Sequence, residues 1–137
     1  MNSLNFKSLA NHHYKILTVN NTPYGHCSTE NFFPDNIIKN IASSFKFPET
    51  VGSTTDPLFQ KTKRSLSDYN LFPLEIKNTI DYLNSQNFIN ILEEKFNIKN
   101  LLPDPSLFGG GMHESRKGGY LKIHSDFVYI RNKKLKR

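Results

Sequence analysis

A histidine and an aspartate stand two positions apart near the end of this 137-residue sequence, at His124 and Asp126. Residues at positions i and i+2 of a strand point to the same side, so the imidazole and the carboxylate can reach one ligand together. These are two of the three ligands of the 2-His-1-carboxylate Fe(II) site. With five histidines in the chain, about 0.2 such pairs arise by chance. The pair alone therefore favours a surface or core histidine over a metal ligand.

The residues around the pair predict a β-hairpin. Met112–Ser115 and Tyr120–Phe127 have the pattern of two strands, joined by a glycine-containing turn at 116–119. Alternation in the second strand places Tyr120 and Lys122 on the face of His124 and Asp126. The opposite face is apolar, with Leu121, Ile123 and Phe127. An apolar back face would hold the strand in place and present the pair to one ligand.

The first 70 residues predict one strand, one helix and a long loop. We expect the first dozen residues to lack regular structure, and Tyr14–Val19 to form a strand that ends in a turn at 20–23. A helix begins at Pro34-Asp35, because the apolar residues that follow have helical spacing, at Ile37, Ile38, Ile41 and Phe45. Residues 47–70 are rich in polar residues and predict a long loop, either a solvated surface segment or a lid over a binding site.

Two further helices precede the hairpin. Pro73 starts the first of them, whose apolar residues are Ile76, Ile80 and Leu83. The helix breaks near Asn84, and Ser85 can cap the next one, whose apolar residues are Phe88, Ile89, Leu92 and Phe96. Residues 101–105 contain two prolines and predict an extended segment. We expect the apolar side chains of these helices to form the core.

Short motifs between Leu83 and Phe127 carry a family resemblance. They are Leu83-Asn84-Ser85, Leu92 to Ile98, Leu102 to Pro105, Phe108 to His113, Gly118 to Leu121 and His124 to Phe127. In order and spacing they resemble the bacterial and phage branch of the 2-oxoglutarate- and Fe(II)-dependent oxygenases related to prolyl 4-hydroxylase. The match covers about a third of the chain. Phe32-Phe33-Pro34 with the helix after it is similar, more loosely, to the N-terminal entry of that family.

The resemblance implies an α+β fold in which N-terminal helices pack on the beginning of a double-stranded β-helix, or jelly roll. Residues 1–137 would then be a single partial oxygenase domain, with a strand and helices in 1–100 and the first jelly-roll hairpin in 101–137. It implies that His124 and Asp126 are iron ligands and that 2-oxoglutarate is the co-substrate. The implied reaction hydroxylates a peptidyl proline or another small substrate, with release of succinate and carbon dioxide.

For the other residues of interest, the expected roles are less specific. Tyr120 and Lys122 share the face of the pair and could bind 2-oxoglutarate, Tyr120 through a hydrogen bond and Lys122 through its charge. Lys122 could equally be a strand-edge lysine that discourages aggregation. For His113 we expect a hydrogen-bonded strand histidine. The remaining histidines, at His12, His13 and His26, are expected to be solvated, and Cys27 to be a buried or idle thiol.

The sequence departs from the family pattern after the pair. No histidine follows His124, whereas the family has a second metal-binding histidine and a 2-oxoglutarate-binding basic residue further along. We therefore expect a truncated chain, inactive alone, whose second half is encoded downstream. The alternative is a non-catalytic remnant or interaction module of the same fold that binds no metal.

The charge and composition of the chain restrict the class of partner that it can bind. The net charge is +6, but residues 131–137 hold five of the 18 basic residues, so the first 130 residues carry 13 basic against 12 acidic ones. A nearly neutral body argues against a nucleic-acid partner, which would need a basic face. No apolar run approaches the ~18 residues of a membrane helix, and one cysteine excludes an intramolecular disulfide. We expect a cytoplasmic protein that acts on a small-molecule or peptidyl substrate.

Overall fold

The computed structural model of the protein describes residues 4–56, 58 and 60–125. Within these residues it has four α-helices, which are α1 (Phe6–Ile16), α2 (Asp35–Ser44), α3 (Leu74–Leu83) and α4 (Gln86–Phe96). The strands are β1 (Val19–Asn20), β2 (His26–Cys27), β3 (Thr54–Asp56), β4 (Gln60–Leu66) and β5 (Met112–Leu121). They form two small antiparallel sheets, β1-β2 and β3-β4-β5, and neither closes on itself in this part of the chain. The α+β class is confirmed.

The N-terminus is helical, so two sequence predictions there are wrong. Residues 6–16 form α1 where we expected irregular structure and the strand Tyr14–Val19. Asn5 caps the helix by accepting a hydrogen bond from the Ser8 amide at 2.9 Å. Leu9 and His13 are buried one turn apart on the same side. The cap and the spacing of four were present in the sequence, but a histidine was not counted as a core residue.

The other three helices are where the sequence predicted them. Pro34 and Pro73 each stand directly before the first residue of a helix, at the cap position. The side chain of Ser85 accepts from the Phe88 amide at 3.4 Å and caps α4. Asn97 ends α4 in the left-handed conformation with φ 51°, which asparagine tolerates better than most residues.

The described chain divides into two compact units. The first contains all four helices with β1 and β2. In it α1 packs on α4, α2 on α3, and α3 on α4. Its core is formed by buried side chains from α1, α3 and α4 and from the residue that ends α1, namely Leu9, Leu17, Tyr82, Phe88 and Ile91. These helices therefore share one apolar centre.

The second unit holds the sheet β3-β4-β5 and a 3-10 turn at Tyr69–Leu71. The long loop predicted over 47–70 is wrong, because β4 is the central strand of this sheet. The sequence of β4 is polar, so it lacked the alternation of apolar residues that marks a half-buried strand. Its buried residues are Leu66 and, unexpectedly, Arg64.

The predicted hairpin is also wrong. Met112–Leu121 is one continuous strand, and both of its halves pair with β4 rather than with each other. The glycine segment at 116–119 is a large bulge. Lys61 pairs with Tyr120 and Lys63 pairs with Ser115, so residues 116–119 of β5 lie opposite the single residue Thr62 of β4. The strand ends at Leu121 because its partner begins at Gln60, which pairs with Leu121.

Two glycines let β5 approach β4 this closely. A Cβ on Gly111 would lie 2.3 Å from the Leu66 carbonyl oxygen, and φ at Gly111 is +113°. A Cβ on Gly119 would lie 2.6 Å from the Thr62 hydroxyl. Both positions therefore require glycine for the fold itself.

No helix in the described residues has the length and apolar character needed to cross a membrane.

Candidate functional site

The two proposed metal ligands lie past the end of β5. His124 is exposed and follows Leu121, the last residue of the strand, by three positions. Asp126 lies outside the described residues, as does the basic segment 131–137. The expected strand from Tyr120 to Phe127 is thus wrong over residues 122–125, and Ile123 of its predicted apolar face is fully exposed. Because residues 122–125 are not in a strand, Lys122 and His124 do not share a strand face as predicted.

The imidazole of His124 is held by a backbone carbonyl two residues earlier in the chain. Its Nδ1 lies 2.7 Å from the carbonyl oxygen of Lys122. Because a carbonyl can only accept, Nδ1 carries the proton and the lone pair of the neutral ring is at Nε2. Metal-binding histidines commonly donate their second ring nitrogen to a backbone carbonyl in this way. The donor chemistry of His124 therefore fits a metal ligand through Nε2.

The remaining residues of the predicted site are spread along β5. Tyr120 is paired with Lys61 in the sheet, and its side chain is 40% exposed. Lys122 is exposed just beyond the strand. The Nδ1 of His113 lies 3.2 Å from the Ser65 hydroxyl across the β4–β5 ladder, so the prediction of a hydrogen-bonded strand histidine is confirmed.

A metal site needs several ligands close together. Residues 4–56, 58 and 60–125 contain no group of three or more histidine, cysteine, aspartate or glutamate side chains that could hold a metal ion. His124 and Asp126 have the donor atoms of two positions in a 2-His-1-carboxylate site. The sequence supplies no later histidine for the third position.

The most developed polar site of the second unit surrounds Arg64, which was not singled out from the sequence. Arg64 as a residue is only 7% exposed, and all three nitrogens of its guanidinium have partners. Nε donates to the Val51 carbonyl at 2.9 Å, Nη2 to the Pro48 carbonyl at 2.9 Å, and Nη1 to a carboxylate oxygen of Glu114 at 3.0 Å. The guanidinium carbon lies 4.6 Å from the centre of the Phe47 ring.

This arginine lines a cleft of about 300 Å³, which we call the Arg64 cleft. Its walls include Phe47, Glu49, Val51, Ser53, Arg64 and Arg116. The side chain of Arg116 is 58% exposed, and its Nε lies 3.7 Å from the same Glu114 oxygen that Arg64 binds. Because Arg64 is buried and fully hydrogen-bonded, its side chain has a fixed position in the lining of the cleft. The side chain of Arg116 is mostly exposed and can contact a ligand.

The first unit has a buried polar cluster of its own. His13 is fully buried, so the expectation of a solvated histidine is wrong there. Its Nε2 donates to the Phe32 carbonyl at 2.6 Å, and its Nδ1 is hydrogen-bonded to the Tyr82 hydroxyl. Its ring stacks on Phe32 with 3.8 Å between centroids and meets Phe88 edge to face.

This cluster disfavours charge. Burial lowers the pKa of His13, the charge of His12 adds to the effect, and the hydrogen bond to Phe32 opposes it. Burial likewise raises the pKa of the Tyr82 phenol. Both groups therefore stay neutral near pH 7, with Tyr82 donating to His13. The other two N-terminal histidines, His12 and His26, are half-buried and are each hydrogen-bonded to a backbone carbonyl, and Cys27 is half-buried beside the core.

Sequence reasoning missed both clusters for the same reason. A core histidine and a core arginine are rare, so each was assigned to the surface by default. The only sequence signal for His13 was its position four residues after Leu9, and β4 gave none for Arg64.

Comparison with protein-family models, with curated proteins and with solved structures finds no match for this chain.

Proposed function

We propose that this chain is part of an Fe(II)- and 2-oxoglutarate-dependent oxygenase, with His124 and Asp126 as two of the iron ligands. The observation that supports it is the order of the motifs between Leu83 and Phe127. The hydrogen bond from His124 to the Lys122 carbonyl also supports it, because it leaves the lone pair at Nε2. On this proposal the double-stranded β-helix is the architecture of the whole enzyme.

When bound, iron and 2-oxoglutarate would, together with dioxygen, supply the oxidation that hydroxylates a peptidyl proline or another small substrate; one oxygen atom would go to the hydroxyl group and the other to succinate, with carbon dioxide released. His124 would bind through Nε2 while its Nδ1–H continues to donate to the Lys122 carbonyl oxygen, which fixes the orientation of the ring. The carboxylate of Asp126 would supply negative charge to the divalent ion. Tyr120 and Lys122 are the proposed contacts for 2-oxoglutarate.

Metal titration of the full chain tests the proposal apart from activity. Ni²⁺ is a suitable probe because it binds imidazole and carboxylate more tightly than Fe²⁺. We expect His124→Ala and Asp126→Ala each to weaken Ni²⁺ binding about tenfold or more, since each removes one of two ligands. His26→Ala is the matched control, because the Nδ1 of His26 lies 2.8 Å from the Tyr24 carbonyl and no carboxylate stands two positions later.

Equal Ni²⁺ binding by all three variants would contradict the metal site. The second measurement is Fe²⁺-dependent conversion of 2-oxoglutarate to succinate by this chain and by a chain extended with the second half expected downstream, each with and without His124→Ala, because this chain alone is expected to be inactive. Conversion that requires His124 supports the oxygenase. Absence of both metal binding and conversion would favour the alternative, a non-catalytic module of the same fold.

A further inference from the structure

The Arg64 cleft is a built site that the proposed oxygenase does not use. Its residues come from the segment 47–53, from β4 and from the bulge of β5, all within the second unit. We propose that it binds a small zwitterion of the free α-amino acid class, with Arg116 at the carboxylate and Glu49 at the ammonium group. This inference does not rest on the oxygenase function.

The charges of the cleft favour a zwitterion over a simple ion. One carboxylate, Glu114, serves both Arg64 at 3.0 Å and Arg116 at 3.7 Å, so this trio carries one excess positive charge. Glu49 lines the same cleft with the opposite charge. The cleft is then neutral overall but polarised, with a cation and an anion both exposed. A simple anion would be repelled by Glu49 and a simple cation by Arg116, whereas a zwitterion satisfies both.

Arg116 has the geometry for a carboxylate. Its Nε lies 3.7 Å from Glu114, and its two terminal nitrogens make no hydrogen bond within the described residues. Two parallel N–H groups of a guanidinium match the two oxygens of a carboxylate. Arg116 is the first residue of the bulge at 116–119, and bulges commonly redirect a side chain towards a site. The bulge thus explains why an arginine of β5 reaches the cleft.

The size and walls of the cleft indicate the rest of the ligand. A volume of about 300 Å³ is at the small end of ligand sites, which start near ~300 Å³. The walls are more polar than apolar, and Val51 and Phe47, whose ring lies against the Arg64 guanidinium, provide their apolar part. A free amino acid with a short apolar side chain, such as leucine, fits the volume and can place that side chain against Val51 and Phe47.

Binding of leucine and two of its derivatives to the full chain tests the proposal. Leucinamide lacks the carboxylate and N-acetyl-leucine lacks the ammonium group, so each removes one of the two charges. We expect saturable leucine binding at roughly millimolar concentration, as suits a small ligand, and about tenfold weaker binding of each derivative. Chemical shifts of the amides of residues 47–53 measure all three.

Variants assign the two charges. Arg116→Gln should weaken leucine binding about tenfold, and Glu49→Gln should weaken leucine while improving N-acetyl-leucine. Lys117→Gln is the matched control, because Lys117 is the exposed neighbour of Arg116 and does not line the cleft. Arg64 is left unchanged because its hydrogen bonds hold the segment 47–51.

Three results would overturn the proposal. One is the absence of saturable leucine binding by the unaltered chain. Another is binding of N-acetyl-leucine or leucinamide as tight as that of leucine, which would make the site one for simple ions. The third is an equal loss of leucine binding in Lys117→Gln and Arg116→Gln. Circular dichroism spectra that match the unaltered chain confirm that each variant is folded.

Discussion

At the scale of single residues, His13 links three parts of the first unit. Its ring is carried by α1, its Nδ1 is bonded to Tyr82 of α3, and its Nε2 donates to the carbonyl of Phe32, which precedes α2. The arrangement needs the neutral ring, because Nδ1 must accept the Tyr82 proton. A second proton on the ring would leave two donors facing each other inside an aromatic core.

The stability of the protein should therefore depend on the protonation of His13. The pKa of His13 is lowered in the folded chain from its ordinary value of 6.5, so the unfolded chain takes up this proton first. The free energy of unfolding is then full above about pH 6.5 and falls as the pH drops from there through the lowered pKa. Urea unfolding at about pH 8 and about pH 5.5 measures the loss.

His13→Gln removes the titrating group, so its unfolding free energy should change less between those two pH values, although the variant is less stable throughout. His26→Gln is the control and should keep the full pH dependence, because His26 is half-buried in β2 and its ring is bonded to the Tyr24 carbonyl rather than to the Tyr82 cluster. An unchanged pH dependence in His13→Gln would show that another group is responsible.

At the scale of elements, β5 depends on close approach to β4. Gly111→Ala places a Cβ 2.3 Å from the Leu66 carbonyl at a φ of +113°, where a side chain is strained whatever the space. We expect a loss of about 2 kcal/mol or more in unfolding free energy. Urea unfolding followed by circular dichroism measures it.

Gly52→Ala is the matched control. A Cβ at Gly52 has no neighbour within 4 Å, so this variant should stay within about 0.5 kcal/mol of the unaltered chain. If the two alanine variants are equally stable, the close contact of Gly111 with Leu66 does not limit the packing of β5.

The elements that could be predicted from the sequence are helices with an apolar stripe at helical spacing and a recognisable first residue. α2, α3 and α4 have apolar residues at helical spacing and start beside Pro34, Pro73 or Ser85, and all three are confirmed. β4 could not be read because a buried arginine and polar neighbours replace the alternation of apolar residues. The bulge of β5 could not be read either, since glycines at 118 and 119 predict a turn until the pairing partner is known.

The two candidate sites likewise differ in whether a local sequence pattern marks them. The His-x-Asp spacing is a local pattern, so sequence reasoning could propose His124 and Asp126 without the fold. The Arg64 cleft joins residues 47–53 to Arg116 through a sheet pairing of high sequence separation. Such a site has no local signature, because none of its residues is unusual until β4 lies between them.

At the scale of the whole molecule, the two units are stabilised by different interactions. The first has an apolar core around Leu9, which is 4% exposed. The second also buries Leu66 and Met112, and its sheet is in addition held by the buried Arg64, which binds two carbonyls and Glu114. Because each unit has its own set of stabilising contacts, local unfolding of one need not unfold the other.

Amide hydrogen exchange in two variants tests whether the two units unfold independently. Leu9→Ala should cost about 2–5 kcal/mol and speed exchange in α1 and α4, while the amides of β4 and β5 keep their protection. Arg64→Met should do the reverse, since it leaves the carboxylate of Glu114 and two carbonyls without their donor. Two variants that each speed exchange equally in both units would show a single cooperative structure. Opposite patterns would show that the sheet with the Arg64 cleft unfolds apart from the helices.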